Sequence, residues 1–304
     1  MSNTKTFAIA AIVVVALACL PFGVSGYVLG LLTLAYYFGV FAMSWDLLFG
    51  FAGEVNFGPS FLIGLGAYTA GMLNHYAHMP IWGCVILGSL ASVIGGLLLA
   101  IPALRLSGPY FGLTTLVAVL LLQNVIVLFA GWTGGEIGLD LPDVLSIDDR
   151  NNYWISLAFM TISGAILFGL SRSAVGLILQ ASGQDAIQAG ALGFNVTKHK
   201  LAAFCVSALF SGLAGAMLIF YEGTASPGTV VDIGVGVQVI IAAVLGGRRT
   251  ILGAALGAIF LIVAGEILRP LGEISTFIVS AVALAVILFF PGGFLGTLLH
   301  RGAR

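Results

Sequence analysis

Residues 171–200 read SRSAVGLILQASGQDAIQAGALGFNVTKHK. They separate two nearly continuous apolar runs, 152–170 and 201–221, each close to the roughly 20 residues that cross a bilayer as an α-helix. Ala174–Leu192 contains no proline, and Ile187 and Ala191 recur four apart. Gln184, Asp185 and Gln188 fall on a more polar side, and Gly193 suits a helix C-terminus. The spacing predicts a half-polar helix outside the bilayer, tied at both ends to membrane spans.

The remainder of the chain fits that frame. It has 304 residues, 60% hydrophobic and 8% charged, with a mean hydropathy of +1.14. A soluble domain carries about 25% charged residues, so this chain cannot build a water-facing shell, and lipid is its solvent. Apolar runs at roughly 7–22, 27–50, 58–74, 81–103, 109–131, 152–170, 201–221, 233–247, 251–268 and 275–293 predict about ten transmembrane helices. The expected fold is an all-α polytopic membrane bundle, a single domain over 1–304. Runs eight and nine, separated by GGRRT (246–250), form either a tight hairpin or one broken helix. The 42 glycines, with small pairs four apart at Gly26/Gly30, Gly253/Gly257 and Ser211/Gly215, predict close helix packing.

Charge orients the spans. With the N-terminus cytoplasmic and all ten runs crossing, the inside segments hold Lys5, Arg105, Arg172, Lys198, Lys200, Arg248, Arg249, Arg301 and Arg304. Only Arg150 and Arg269 fall outside, and this bias selects cytoplasmic N- and C-termini. Segment 171–200 is then cytoplasmic, and 132–151 is a periplasmic loop rich in acids. Trp82, Trp132 and Trp154 fall at outer boundaries, as interfacial aromatics do. Lys5, the run Phe7–Leu20 and VSG (24–26) also fit a weak signal peptide; run two would still begin outside.

Several chemistries are unsupported. No GxxxxGK[ST] loop occurs, so ATP is not bound by that device. No cofactor fingerprint is complete, and His75 with His78 gives too few ligands for a metal site. No nucleophile–base pair stands out, so an enzyme is not expected, and there is no basic patch for nucleic acid. Intramembrane polar residues are functional candidates. Asp46 lies near the inner end of run two, just before the glycine-rich break GFAGEVNFGPS (50–60), so Asp46, Gly53, Asn56 and Gly58 are candidates for a translocation pathway. Gln123, Asn124 and Gln238 either line a pathway or bond between helices. A single buried acid is thin provision for an ion-coupled carrier, which places the energy source outside this chain. Helix 174–192 either lies on the membrane surface or docks on a partner, and its lack of a basic face favours docking.

At 184–204, QDAIQAGALGFNVTKHKLAAF resembles the cytoplasmic segment of branched-chain amino acid ABC importer permeases of the LivM type, acidic-x-x-Ala-Ala-x-Ala-Leu-Gly-Ile-Asn-Val then a basic residue. GFAGEVNFGPSFLIGLGAYTAGML (50–73), RLSGPYFGLTTLVAV (105–119) with WTGGEIGL (132–139), VLGGRRTILGAALGA (244–258) and FFPGGFLG (289–296) are similar to that family's other signatures in order and spacing. The chain departs at Glu54, Asn56, Pro59, Gly190, Arg249 (where Gly is usual) and Ala254. The resemblance implies a multi-pass subunit of a bacterial inner membrane, with 171–200 as a coupling segment whose Gln184, Asp185, Ala189, Leu192 and Gly193 meet an ATPase. It implies a second permease subunit, two ATP-binding subunits that hold ATP and Mg, a periplasmic substrate-binding protein and membrane lipid as partners. The implied cargo is a branched-chain or related amino acid; urea, amides or other amino acids are the alternatives, and an ion-coupled secondary carrier is the rival mechanism.

Overall fold

The computed structural model describes residues 14–106 and 109–272, with residues 274 and 281. Runs 7–22 in part and 275–293 apart from residue 281 lie outside the described residues. A backbone in lipid must satisfy its own hydrogen bonds, and the described chain is accordingly helical almost throughout. Helix α1 (Gly26–Asp46) continues into a π-helical turn at Leu47–Ala52, which ends at Gly53 in the left-handed region. Helices α2 (Pro59–Ala77), α3 (Ile81–Ala103), α4 (Pro109–Leu128) and α5 (Asp149–Arg172) follow. Next come α6 (Ala174–Gln184), α7 (Ala186–Ala191) and α8 (Val196–Glu222), then α9 (Ile233–Gly246) and α10 (Ile251–Leu268). Strands β1 (Leu139–Asp140) and β2 (Thr224–Ala225) pair antiparallel, with Leu139 opposite Ala225.

Seven helices among the described residues are long and apolar enough to cross a membrane: α1 with its π turn, α3, α4, α5, α8, Pro227–Gly246 and α10. The third expected run folds as α2, whose 19 residues rise about 28 Å. Asn74, His75 and Tyr76 make its C-terminal end polar. There Asn74 bonds Asp143 and the Met79 carbonyl, His75 the Asp140 carbonyl and Tyr76 the Trp132 carbonyl, while the apolar body of the helix packs between α3 and α8. Gly66 of α2 meets Gly212 of α8, and Gly88 of α3 meets the Gly66 carbonyl. Ser92 of α3 donates to carbonyls on both neighbours, Leu62 at 2.8 Å and Ala208 at 2.9 Å. Small residues thus admit the close backbone approach that holds helices together where no hydrophobic force acts between them. Ser211 of the Ser211/Gly215 pair bonds Ser44 of α1 at 2.9 Å.

Runs eight and nine are two helices. Gly246 packs on Gly253, and Gly257 packs on the Ala242 carbonyl, so α9 and α10 run antiparallel about a turn at Gly247–Thr250. Arg249 in that turn has φ 64, a conformation that favours glycine.

The bundle has two distinct ends. At the loop end, Tyr76 Oη donates to the Trp132 carbonyl at 2.9 Å, Asn74 donates to Asp143 at 2.8 Å, and β1 pairs with β2. Tyr27 and Arg269 both bond Glu266 there. At the segment end lie the π turn, the Gly247–Thr250 turn and 171–200. Among the described residues Arg105, Arg172, Lys198, Lys200, Arg248 and Arg249 follow the segment end, whereas Arg150 and Arg269 belong to the loop end.

Segment 171–200 differs from the single helix expected over 174–192. Asp185 takes an extended conformation (φ −148, ψ 102) and breaks it into α6 and α7. Its carboxylate accepts from the Ile187 and Gln188 amides, both at 2.9 Å, an N-cap that satisfies otherwise orphaned donors. Gly193 ends the second piece at φ 89, as a C-terminal glycine does.

Candidate functional site

The π turn in α1 gives the segment end its character. Such turns widen a helix and recur at functional positions. Asp46, fully buried, starts the turn, and its Oδ1 accepts from the Arg249 amide at 3.1 Å while its Oδ2 has no hydrogen-bond partner. Arg249 Nε returns a bond to the Gly50 carbonyl at 2.9 Å. Gly50 faces Asp46 so closely that a Cβ there would collide with its carboxylate. Arg248 lies over the Phe49 ring, 4.8 Å from its centroid. The α9–α10 hairpin is therefore clasped to the π turn by two backbone-directed bonds.

Loop 53–58 is held residue by residue. The Glu54 amide bonds the Leu48 carbonyl at 3.1 Å. The Trp45 indole donates to the Asn56 carbonyl at 2.6 Å, and Asn56 Oδ1 accepts from the Gly58 amide at 2.8 Å. The Phe57 amide donates to Thr115 Oγ1 of α4 at 3.0 Å, and Gly58 sits on the Thr115 carbonyl.

Segment 171–200 meets this loop through bare backbone. A Cβ on Gly183 would lie 2.6 Å from the Phe51 carbonyl and 3.0 Å from the Gly53 amide; one on Gly53 would lie 2.8 Å from the Gly183 carbonyl. Close beside it, Lys200 Nζ and Glu54 Oε1 form an ion pair of 2.6 Å, with side chains 15% and 19% exposed.

At the loop end, an open cleft of about 440 Å³ is lined by Gln123, Asn124, Val127, Glu136, Pro227 and Gly228. Gln123 Nε2 reaches Asp232 Oδ2 at 3.5 Å, and Asp232 Oδ1 caps α9 through the Gly234 amide at 2.6 Å. The span here is discontinuous: helix Pro227–Val230 stops before α9 begins. Non-helical backbone and exposed amides at membrane depth persist where a partner or water covers them.

The site residues expected from sequence separate into two groups. Gln184, Leu192 and Gly193 are exposed, whereas Ala189 is 2% exposed and faces the chain itself. Its place on the outer surface is taken by Ile187, 86% exposed, which with Leu192 at 75% forms an apolar pair. Asp185 is half-buried and is occupied in capping α7. Asp46, Asn56 and Gly58 are buried, with their hydrogen bonds directed within the chain, and Gly53 is the contact for Gly183. Sequence reasoning missed the Gly53–Gly183 and Glu54–Lys200 contacts. Partners 146 positions apart carry no periodic signal.

A family model described as the branched-chain amino acid transport system permease component matches residues 27–291. The high-affinity branched-chain amino acid transport permease LivM of Salmonella typhimurium is 27% identical over 94% of this chain and 73% of the relative. LivM of Escherichia coli K12 is 27% identical over 90% of the chain and 71% of its own length. The autoinducer 2 import permease LsrC of Klebsiella pneumoniae is 31% identical over 58% of the chain and 51% of the relative. A solved structure described as an inward-facing conformation of a metal-chelate type ABC transporter aligns with 95% of this chain and 100% of its own, at TM-score 0.52 and 17% identity, a likeness of fold.

Proposed function

The chain belongs to the branched-chain amino acid transport system permease family, and on that premise we propose that it is a membrane subunit of an ABC importer. It carries branched-chain or related amino acids inward, driven by ATP hydrolysed with Mg on two partner subunits. The observation that carries this reading is the backbone contact of Gly183 with Gly53. It puts an exposed, half-polar segment in direct mechanical contact with the broken helix of a membrane domain. Gln184, Ile187 and Leu192 are the surface that meets the ATPase. The LivM relatives, named as high-affinity branched-chain amino acid permeases, support the cargo.

In this assembly, set in a bacterial inner membrane, the segment end faces the cytoplasm, an orientation that the distribution of Lys and Arg supports. Runs 7–22 and 275–293 complete about ten spans with both termini inside. A second permease completes the membrane domain, and a periplasmic binding protein docks on the loop end around 132–151. The cleft of Gln123, Asn124 and Glu136, with Asp232 bonded to Gln123 beside it, faces the cargo: carboxylates accept an ammonium group, and amides serve either half of a zwitterion. It replaces Asp46, Asn56 and Gly58 as the preferred pathway surface, because those three are enclosed. The likeness to LsrC favours a second cargo reading, in which the same machinery moves a different small polar molecule.

The test is to tag the chain in its host, extract it gently, identify what co-purifies, and measure uptake in vesicles with and without internal ATP. An ATPase pair, a second permease and ATP-dependent uptake are expected. Uptake by this chain alone on an ion gradient would replace the proposal with an ion-coupled carrier.

A further inference from the structure

We propose that Glu54 and Lys200 are positioning residues for transport, forming the joint through which segment 171–200 pulls the membrane helices as well as pushing them; this rests on the importer reading. The argument begins with the neighbouring contact. Gly53 and Gly183 meet as bare backbone, with a Cβ on either lying within 3.0 Å of the other strand of chain. Such a contact resists compression steeply but offers only weak dispersion against separation. It passes a push from α6 into loop 53–58 and lets go when α6 withdraws.

A transport cycle has two strokes, so the return needs an attractive link. The Lys200 Nζ–Glu54 Oε1 pair supplies one at 2.6 Å, in the residue adjoining Gly53. At 15% and 19% exposure, the pair is screened less than a surface pair. Both partners are anchored. Lys200 stands in the second turn of α8, and the Glu54 amide bonds Leu48 of the π turn. From Glu54 the loop is tied onward to α1 through Trp45 and to α4 through Thr115. Withdrawal of the segment therefore draws the loop, and the loop draws α1 and α4. Removing either charge leaves the push intact and the pull lost.

The test uses the complex purified from its host with all subunits and reconstituted with the loaded binding protein. The variants are Glu54→Gln, Lys200→Met and the exchange Glu54→Lys with Lys200→Glu. Three quantities are read: ATPase co-purification, ATP hydrolysis, and ligand taken up per ATP hydrolysed. Each single variant is expected to assemble and to hydrolyse ATP within about twofold of the parent while uptake per ATP falls roughly tenfold, and the exchange to recover most of it. A merely structural pair would lower the amount of complex and leave uptake per ATP unchanged. An unchanged ratio in both single variants, or no recovery in the exchange, overturns the proposal. If the parent chain retains no ATPase subunit at all, the importer reading itself fails and this joint fails with it.

Discussion

Gly183→Ala tests the contact at the centre of this structure with the smallest possible perturbation. The added methyl would lie 2.6 Å from the Phe51 carbonyl oxygen and 2.9 Å from the Ala52 carbonyl carbon. Neither neighbour is a side chain that can rotate away. Non-bonded atoms settle near 3.5 Å, so with the methyl at 2.6 Å α6 must back off from loop 53–58 by about 0.9 Å. Overpacking of this kind costs about 1–3 kcal/mol, and the displacement lies in the path from the segment to α1. The control is Gly190→Ala in α7, the same chemical change with no atom within 4 Å of the new methyl. There alanine should stabilise the helix by up to about 1 kcal/mol. The assays are the thermal midpoint of the detergent-solubilised chain and uptake by the assembled complex. Gly183→Ala should lower both, and Gly190→Ala should lower neither. If Gly183→Ala unfolds and transports like the parent, the backbone contact is not tight and carries no motion. If Gly190→Ala does equal harm, the effect belongs to glycine content in the segment and not to this contact.

Ala189→Arg forces a charge into a site 2% exposed, so it should reduce folded, membrane-inserted chain several-fold, measured by detergent-stable yield. Ile187→Asp and Leu192→Asp change exposed positions; they should leave that yield unchanged while the ATPase subunits cease to co-purify. Asp46→Leu removes the acceptor of the half-buried Arg249 amide and should cost about 1–3 kcal/mol, seen as a lower thermal midpoint. Asp46→Asn keeps the acceptor oxygen and should cost less, and equal losses from both would assign the role to charge instead. Gln123→Leu and Asn124→Leu in the loop-end cleft should reduce uptake roughly tenfold with no drop in thermal midpoint, and full uptake by the double variant would remove the cleft from the pathway.

Much of the fold was legible because the bilayer imposes it. Apolar run length marked the helices, and alternation with the positive charges brought the correct segments to common ends, as Arg249 beside Asp46 and Trp132 beside Tyr76 show. The break at Asp185 was also present in sequence: an Asp ahead of Ala-Ile-Gln is an N-cap signal, overlooked because an apolar period runs across it. The neighbours of α2 were not legible: run 58–74 marked a span, and only the fold shows it packed between α3 and α8. The left-handed Arg249 (φ 64) was visible as a departure from glycine, and its cause, the clasp on Gly50, required coordinates. The least legible features were the long-range pairs. Glu54 stood out in sequence only as a departure from the family pattern, and only the fold puts its carboxylate and the Lys200 ammonium at 2.6 Å.

The packing also indicates which helix can respond to the segment. The most apolar window of α8 is 78% buried, whereas that of α4 is 33% buried. A helix with few neighbours moves at lower cost than one locked on all sides. Yet α4 is gripped firmly at one place, where Phe57 bonds Thr115, Gly112 receives the Phe57 ring and Gly58 rests on the Thr115 carbonyl. Loop 53–58 therefore holds α4 near its segment end, and Gln123 and Asn124 ride two to three turns further along the same helix. Packing and covalent chain lead from Gly183 through Gly53, Phe57 and Thr115 to the helix that carries Asn124; coupling along it requires an element with two arrangements that both ends bias. Rigidity sets what such a series can deliver. A helix transmits a displacement along its length with little loss, while side chains at its base absorb one by changing rotamer. At Gly53–Gly183 there is no side chain to absorb it, so in the importer proposed above glycine at this contact would serve transmission as well as close packing.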